Sequence, residues 1–201
     1  MLDFSTWQWI NEGKIAFEDD AVIMTAPART DFFCDGAESE GDGLPANLNN
    51  APYFYTEVEG DFVFGVKMKP EFASTYDAGV FMIMHDLDNW AKCCFELSDF
   101  GTHAAVSVVT RDGASDDANG VNIPESYDSI WMKACRVGRT FSFHYSLDGE
   151  KYNMTRYFLL PDRKSVKLGL VAQSPTGDGG VRVYEDIQLE HKTVKNIRAG
   201  V

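Results

Sequence analysis

The sequence predicts an all-β protein, a two-sheet antiparallel β-sandwich. Short runs rich in Val, Ile, Phe, Tyr and Thr recur along the 201 residues, separated by clusters of Gly, Asp, Asn and Pro. Within those runs apolar and polar residues alternate with a period of two, as a sheet packed on one face requires. No long 3.6-residue periodicity of an amphipathic helix is present. Many half-apolar strands imply two sheets around a shared core. The length fits one domain spanning 1–201.

In chain order, strands are expected at 14–17 and 21–25. The acidic, Gly-rich run 36–50 reads as a long surface loop. Strands 53–58 and 61–69 follow, then three in succession at 78–85, 90–97 and 104–111. The first of these three is apolar on both sides, which predicts a central position. Its neighbour sorts Ala91, Cys93, Phe95 and Leu97 to one side and Trp90, Lys92, Cys94 and Glu96 to the other. In 104–111, Ala104, Val106 and Val108 oppose His103, Ser107 and Arg111. We assign Ser107 and Arg111 to the polar face that carries Trp90, Lys92 and Glu96. That face reads as the floor of a ligand groove. Asp112-Gly113 and Asp148-Gly149 supply residues tolerant of positive φ for turns. Strands 130–136 and 140–146 alternate in the same way, with Trp131, Lys133 and His144 on their polar registers. Strands 166–173 and 181–189 close the chain, and Gly177-Asp178-Gly179-Gly180 reads as a hairpin turn between them.

Charge narrows the partners. The chain carries 18 basic and 31 acidic residues, a net charge of −13. That opposes binding to a phosphate backbone, which needs clustered Lys and Arg, and docking on anionic lipid. No apolar run approaches the ~18 residues of a membrane span. The N-terminus lacks the basic and apolar regions of a signal peptide. Cys34, Cys93, Cys94 and Cys135 form no CxxC and no zinc-type spacing. Reduced thiols in a cytoplasmic protein are expected, with no metal and no cofactor implied.

Seven segments come in a distinctive order: Thr30-Asp31-Phe32-Phe33, Tyr76-Asp77-Ala78-Gly79, Asn89-Trp90-Ala91-Lys92, Phe95-Glu96, Val106-Ser107-Val108-Val109-Thr110, Ser115-Asp116 and Tyr145-Ser146-Leu147-Asp148-Gly149. Together they resemble the domain-of-unknown-function family often labelled regulation-of-enolase protein, over about 4–189. The resemblance implies a concanavalin A-like lectin/glucanase sandwich, a jelly roll whose concave sheet forms a groove. The label itself suggests a metabolic enzyme as partner.

Candidate ligand-binding residues follow from the faces and the motifs. Trp90, Lys92 and Glu96 share one strand face. A Trp stacks on an apolar sugar face while Lys and Glu hydrogen-bond hydroxyls; the alternative is an ion pair beside a half-buried Trp. Arg111, Ser115 and Asp116 fall in a polar loop that either mounts ligand groups or is simply solvated. Asp116, Asp117 and Asn119 also offer oxygens, but not at the spacing of an EF-hand. Asp31 either lines one end of the groove or caps a turn. Trp131, Lys133, His144 and Gln173 fall on groove-facing registers, His144 reading first as a structural histidine. A retaining glycosidase needs two carboxylates roughly 5 Å apart. The glucanases of this fold carry a Glu-x-Asp-x-x-Glu run, whereas Glu96-Leu97-Ser98-Asp99 places its two carboxyls on opposite faces. Asp77 is the nearest alternative partner for Glu96. The expected function is non-catalytic binding of a carbohydrate or related polar metabolite. The alternatives are a glycan-active enzyme (glycosidase or lyase) using Glu96, and an interaction module regulating a metabolic enzyme.

Overall fold

The computed structural model describes residues 2–34 and 47–201. Most of the expected 36–50 loop therefore lies outside the described residues. The strands are β1 (Gln8–Ile10), β2 (Lys14–Glu18), β3 (Ala21–Pro27), β4 (Phe32–Cys34), β5 (Asn47–Asn49), β6 (Tyr53–Glu59), β7 (Phe62–Pro70) and β8 (Ala78–Asp86). They continue as β9 (Asn89–Leu97), β10 (His103–Arg111), β11 (Ala114–Ile123), β12 (Ile130–Val137), β13 (Thr140–Ser146), β14 (Asn153–Leu159), β15 (Ser165–Gln173) and β16 (Gly179–Glu190). One short 3-10 turn spans Phe4–Thr6. No helix among the described residues is long and apolar enough to cross a membrane.

The strands form two seven-stranded sheets, β1-β6-β15-β8-β9-β10-β11 and β14-β13-β12-β7-β16-β3-β2, plus a β4-β5 ribbon. All pairings within them are antiparallel. β8 sits at the centre of the first sheet, as its two apolar faces require. The main core lies between the sheets: Phe81, Ile83, Cys93 and Phe95 from the first meet Phe64, Met68, Met132 and Phe143 from the second. Its rings meet edge-on, Phe64 with Phe81 at 5.6 Å and Phe81 with Phe143 at 5.1 Å. A buried ion pair bridges the sheets near one end, Arg182 to Asp77 at 3.1 Å.

Both outer faces are partly roofed. Phe32 of the ribbon packs with Trp90, Tyr53, Val80 and Met82 on the outside of the first sheet. Val194, from the segment after β16, packs with Val63 and Cys135 on the outside of the second. Cys93, Cys94 and Cys135 are buried packing residues.

Two expectations are corrected here. The run after Arg111 is a strand: β11 is polar because, as the edge of the sheet, it is paired on one side only. Asp112 (φ 52°) and Gly113 (φ 75°) form the tight β10–β11 turn, both in the left-handed region. Gly177–Gly180 is not a hairpin turn. It carries the chain from β15 in the first sheet to β16 in the second, and Gly179 and Gly180 already pair with β3.

Candidate functional site

β9 dictates the site. Its alternation sends Ala91, Cys93 and Phe95 into the core and Trp90, Lys92, Cys94 and Glu96 outward. Around Lys92 three separate elements converge. Thr30 bridges to Ser174 through paired backbone bonds of 3.2 and 3.1 Å, which brings Asp31 over the first sheet. Lys92 Nζ donates to Asp31 Oδ1 at 2.6 Å and to Gln173 Oε1 at 2.9 Å. Asp31 also accepts the Phe32 N–H at 2.8 Å, and its own N–H donates to Asn50 Oδ1 at 2.9 Å. Burial alone would neutralise Lys92, but Asp31 above all, with Cys94 and Glu96, outweighs it and raises its pKa. The ammonium stays charged.

Glu96 is different. It is only 6% exposed, and no described residue hydrogen-bonds its carboxyl. Burial pushes its pKa well above the usual carboxylate range; Lys92 opposes this, while Asp117, Asp31 and Asp99 add to it. Asp117 is raised as well, chiefly by partial desolvation of its carboxyl, although the residue as a whole is exposed on the edge strand. In the pairing, Asp117 stands opposite Val108, which stands opposite Lys92, so all three share the outer face. Asp117 read from the sequence as a turn residue. Finding it would have required knowing that the polar run pairs with β10. The result is one ammonium and three carboxyls on one sheet face, and burial raises the pKa of all three, furthest at Glu96. A neutral carboxyl donates and accepts a hydrogen bond, as a hydroxyl does.

The other expected residues divide. Gln173 joins Lys92 as expected. Trp90 lies on the expected face but is 1% exposed, edge-on to Phe32 at 6.2 Å, with its N–H donated to the Leu87 carbonyl. It is a packed side chain with no free ring face for a sugar. Ser107 and Arg111 are on the opposite face from Lys92, because Ser107 aligns with Cys93 and not with Lys92. Arg111 is half-exposed and reaches Asp116 at 3.6 Å, while Arg156 of β14 takes that carboxylate at 2.9 Å. Ser115 bonds the Thr110 hydroxyl at 2.7 Å and accepts the Cys34 N–H at 2.9 Å, which ties the ribbon to the sheet. Asp77 cannot partner Glu96. It precedes Ala78, the residue aligned with Glu96, so its carboxylate points between the sheets to Arg182 and Ser174. Trp131, Lys133 and His144 belong to the second sheet, on the far side of the core, and do not face this site.

A family model described as a protein of unknown function, DUF1349, matches residues 9–192. No curated protein sequence matches the chain. Among solved structures, a functionally unknown protein from Saccharomyces cerevisiae superposes with a TM-score of 0.83 at 21% identity, covering 96% of this chain and 100% of that one. The carbohydrate-binding module CBM66 from Bacillus subtilis gives 0.58 at 11% identity, over 92% of this chain and 95% of the module. A bifunctional GH43-CE protein of Bacteroides eggerthii gives 0.69 at 15% identity, over 94% of this chain. This chain spans only 24% of that larger protein. At these identities the likeness is one of fold, a two-sheet β-sandwich.

Proposed function

We propose, for a chain that belongs to the DUF1349 family of unknown function, that the outer face of the first sheet binds a carbohydrate or related polar metabolite without transforming it. The observation that carries this is the Glu96 carboxyl, on a residue 6% exposed and with no hydrogen-bond partner among the described residues, beside a charged Lys92. A carboxyl largely withdrawn from water and unpaired by the protein is free to pair with a hydroxyl-bearing ligand. Lys92 and Gln173 supply a donor-rich floor, while Glu96, Asp117 and Asp31 supply acceptors; burial favours the protonated form of Glu96, which also donates. The fold shared with a carbohydrate-binding module over nearly the full length of both chains supports the reading.

One observation favours a glycan-active alternative. Glu96 and Asp117 are two carboxyls of raised pKa on one face, and each senses the charge of its neighbours. A cytoplasmic role in regulating a metabolic enzyme such as enolase has the sequence resemblance as its support.

The test is ligand-observed NMR and calorimetry with a panel of mono- and oligosaccharides. A bound sugar should lose about tenfold or more in affinity in Glu96→Gln, equivalent to about 1.4 kcal/mol. The sugar should be recovered unchanged. Binding indifferent to Glu96 removes the reading; release of a cleaved product transfers it to the enzyme.

A further inference from the structure

The outer face of the second sheet carries a hollow that the reading above does not use. Gly65 is its floor. It lies mid-strand in β7, between Lys133 of β12 and Gln188 of β16. A Cβ added there would meet nothing within 4 Å. Glycine in a strand interior sacrifices packing and β-propensity, and it marks places where another group approaches the backbone closely. The cavity above it measures ≈ 600 Å³, within the size range of small-molecule sites.

Its walls are set by three local devices. A β-bulge in β16 shifts the register between Glu185 and Gln188, and Asp186 within it takes φ 48°, in the left-handed region. That bulge aims the Asp186 carboxylate at Trp131, whose indole N–H donates to it at 3.1 Å. Gly149, at φ 77°, backs the same indole so closely that a Cβ there would come within 3.1 Å of the ring. Trp131 is thus locked in orientation. Tyr152 also lines the hollow, with Lys133 Nζ 3.5 Å from its ring centroid. Lys133 has no carboxylate partner among the described residues. It is a half-buried ammonium held only by a π face, in a chain of net charge −13. The Gln188 amide and the Tyr152 hydroxyl also make no hydrogen bond to a described residue. By contrast the pocket's carboxylates are engaged, Asp186 with Trp131 and Glu190 with Lys192 at 2.9 Å.

The unused groups are therefore mainly donors, two of them cationic, the half-buried Lys133 and the exposed Lys195, beside the rings of Trp131 and Tyr152. That pattern suits a ring with an apolar face, several oxygens and one negative charge. We propose that this hollow is a second ligand site, for a sugar acid, with the carboxylate on Lys133 and the ring against the Trp131–Tyr152 walls. Burial lowers the Lys133 pKa and Lys192 adds to the effect, while Cys135 and Glu190 oppose it without reversing it. An anion seated there would reverse it.

The proposal stands apart from the first-sheet site, and one experiment separates the two. Glucuronate, galacturonate, glucose and galactose are titrated into the whole chain by calorimetry and saturation-transfer NMR. Gly65→Leu places a side chain in the hollow from a Cβ position that has no protein atom within 4 Å, and Lys133→Met removes the charge while keeping most of the side-chain length. A uronate should bind wild type at least about tenfold more tightly than its neutral counterpart. Gly65→Leu should abolish that binding, and Lys133→Met should erase the preference for the acid. Binding that persists in Gly65→Leu but falls in Glu96→Gln belongs to the first sheet and overturns this proposal alone. Equal affinity for acid and neutral sugar, or no uronate binding to folded wild type, also overturns it.

Discussion

Lys92→Met should destabilise the protein by an amount that depends on pH. Lys92 is 2% exposed, and its ammonium is the sole cation in contact with Asp31 among the described residues, at 2.6 Å. Without it, Asp31 is left with the Phe32 N–H as its hydrogen-bond donor. Breaking a buried pair from one side costs about 3–5 kcal/mol, because the remaining charge is uncompensated. The carboxylate has an escape, since it can take up a proton. Keeping a carboxyl of ordinary pKa near 3.9 protonated at pH 7 costs about 4 kcal/mol, and at pH 5 about 1.5 kcal/mol. Protonation therefore caps the penalty, and the cap falls with pH. The sign is fixed by the direction of the shift. Burial already raises the folded Asp31 pKa against the pull of Lys92, and removing Lys92 raises it further, so the variant's stability is full below about pH 4 and is lost as pH rises. Urea unfolding followed by tryptophan fluorescence at pH 5 and pH 7 measures both values, because Trp90 is buried on the same face. Asp31→Asn added to Lys92→Met should restore about 2–4 kcal/mol at pH 7, since the amide still accepts the Phe32 N–H and carries no charge. A loss below about 1 kcal/mol at pH 7 would refute the reasoning. So would equal losses at both pH values, or no rescue by Asp31→Asn.

Phe95 is fully buried and meets Phe72 edge-on at 5.0 Å, so Phe95→Ala should cost about 3–5 kcal/mol in chemical denaturation. Glu96→Gln should behave oppositely. The folded pKa of Glu96 is raised, so wild type loses stability as pH rises above the unfolded value, and the variant should match wild type near pH 4 and exceed it in melting temperature at pH 8. His144 donates from Nε2 to Ser142 Oγ, whose own proton goes to the Ile197 carbonyl, and its Nδ1 is buried without a partner. Burial, with Lys133 adding, lowers its pKa to about 4, so it should stay neutral in an NMR titration down to about pH 5. The depressed pKa makes its contribution, up to about 3 kcal/mol, present above pH 6.5 and lost as pH falls toward 4; His144→Gln should flatten that acid limb. Trp90→Ala should destabilise the fold through the lost packing with Phe32, and a far weaker effect would mean that the ribbon does not cover it.

The sequence by itself determined the class of fold, and the reason is local. A two-residue period is a property of the strand itself, so β8, β9, β10, β12 and β13 were legible, as was the placing of Phe95 and Glu96 on opposite faces. Periodicity divides a strand into two faces but does not join the faces of different strands. Ser107 and Arg111 were grouped with Lys92 because they are polar, whereas the β9–β10 register aligns Ala104, Val106, Val108 and Thr110 with Glu96, Cys94, Lys92 and Trp90. A shift of one residue exchanges the faces, and only pairing fixes it. Tertiary structure also decided which sheet a polar register belongs to. Trp131, Lys133 and His144 carry the same alternation as Trp90 and Lys92 yet lie beyond the core, because β12 and β13 pair with β7 and with β14 in the second sheet. The short strands β1, β4 and β5 are too brief for any period to show, and β11 has no apolar face for alternation to mark. The pairs that organise the interior, Asp31 with Lys92 and Asp77 with Arg182, join segments far apart in the chain. Each charge is tolerated in the interior only because its partner arrives there, and that meeting exists only in the folded chain.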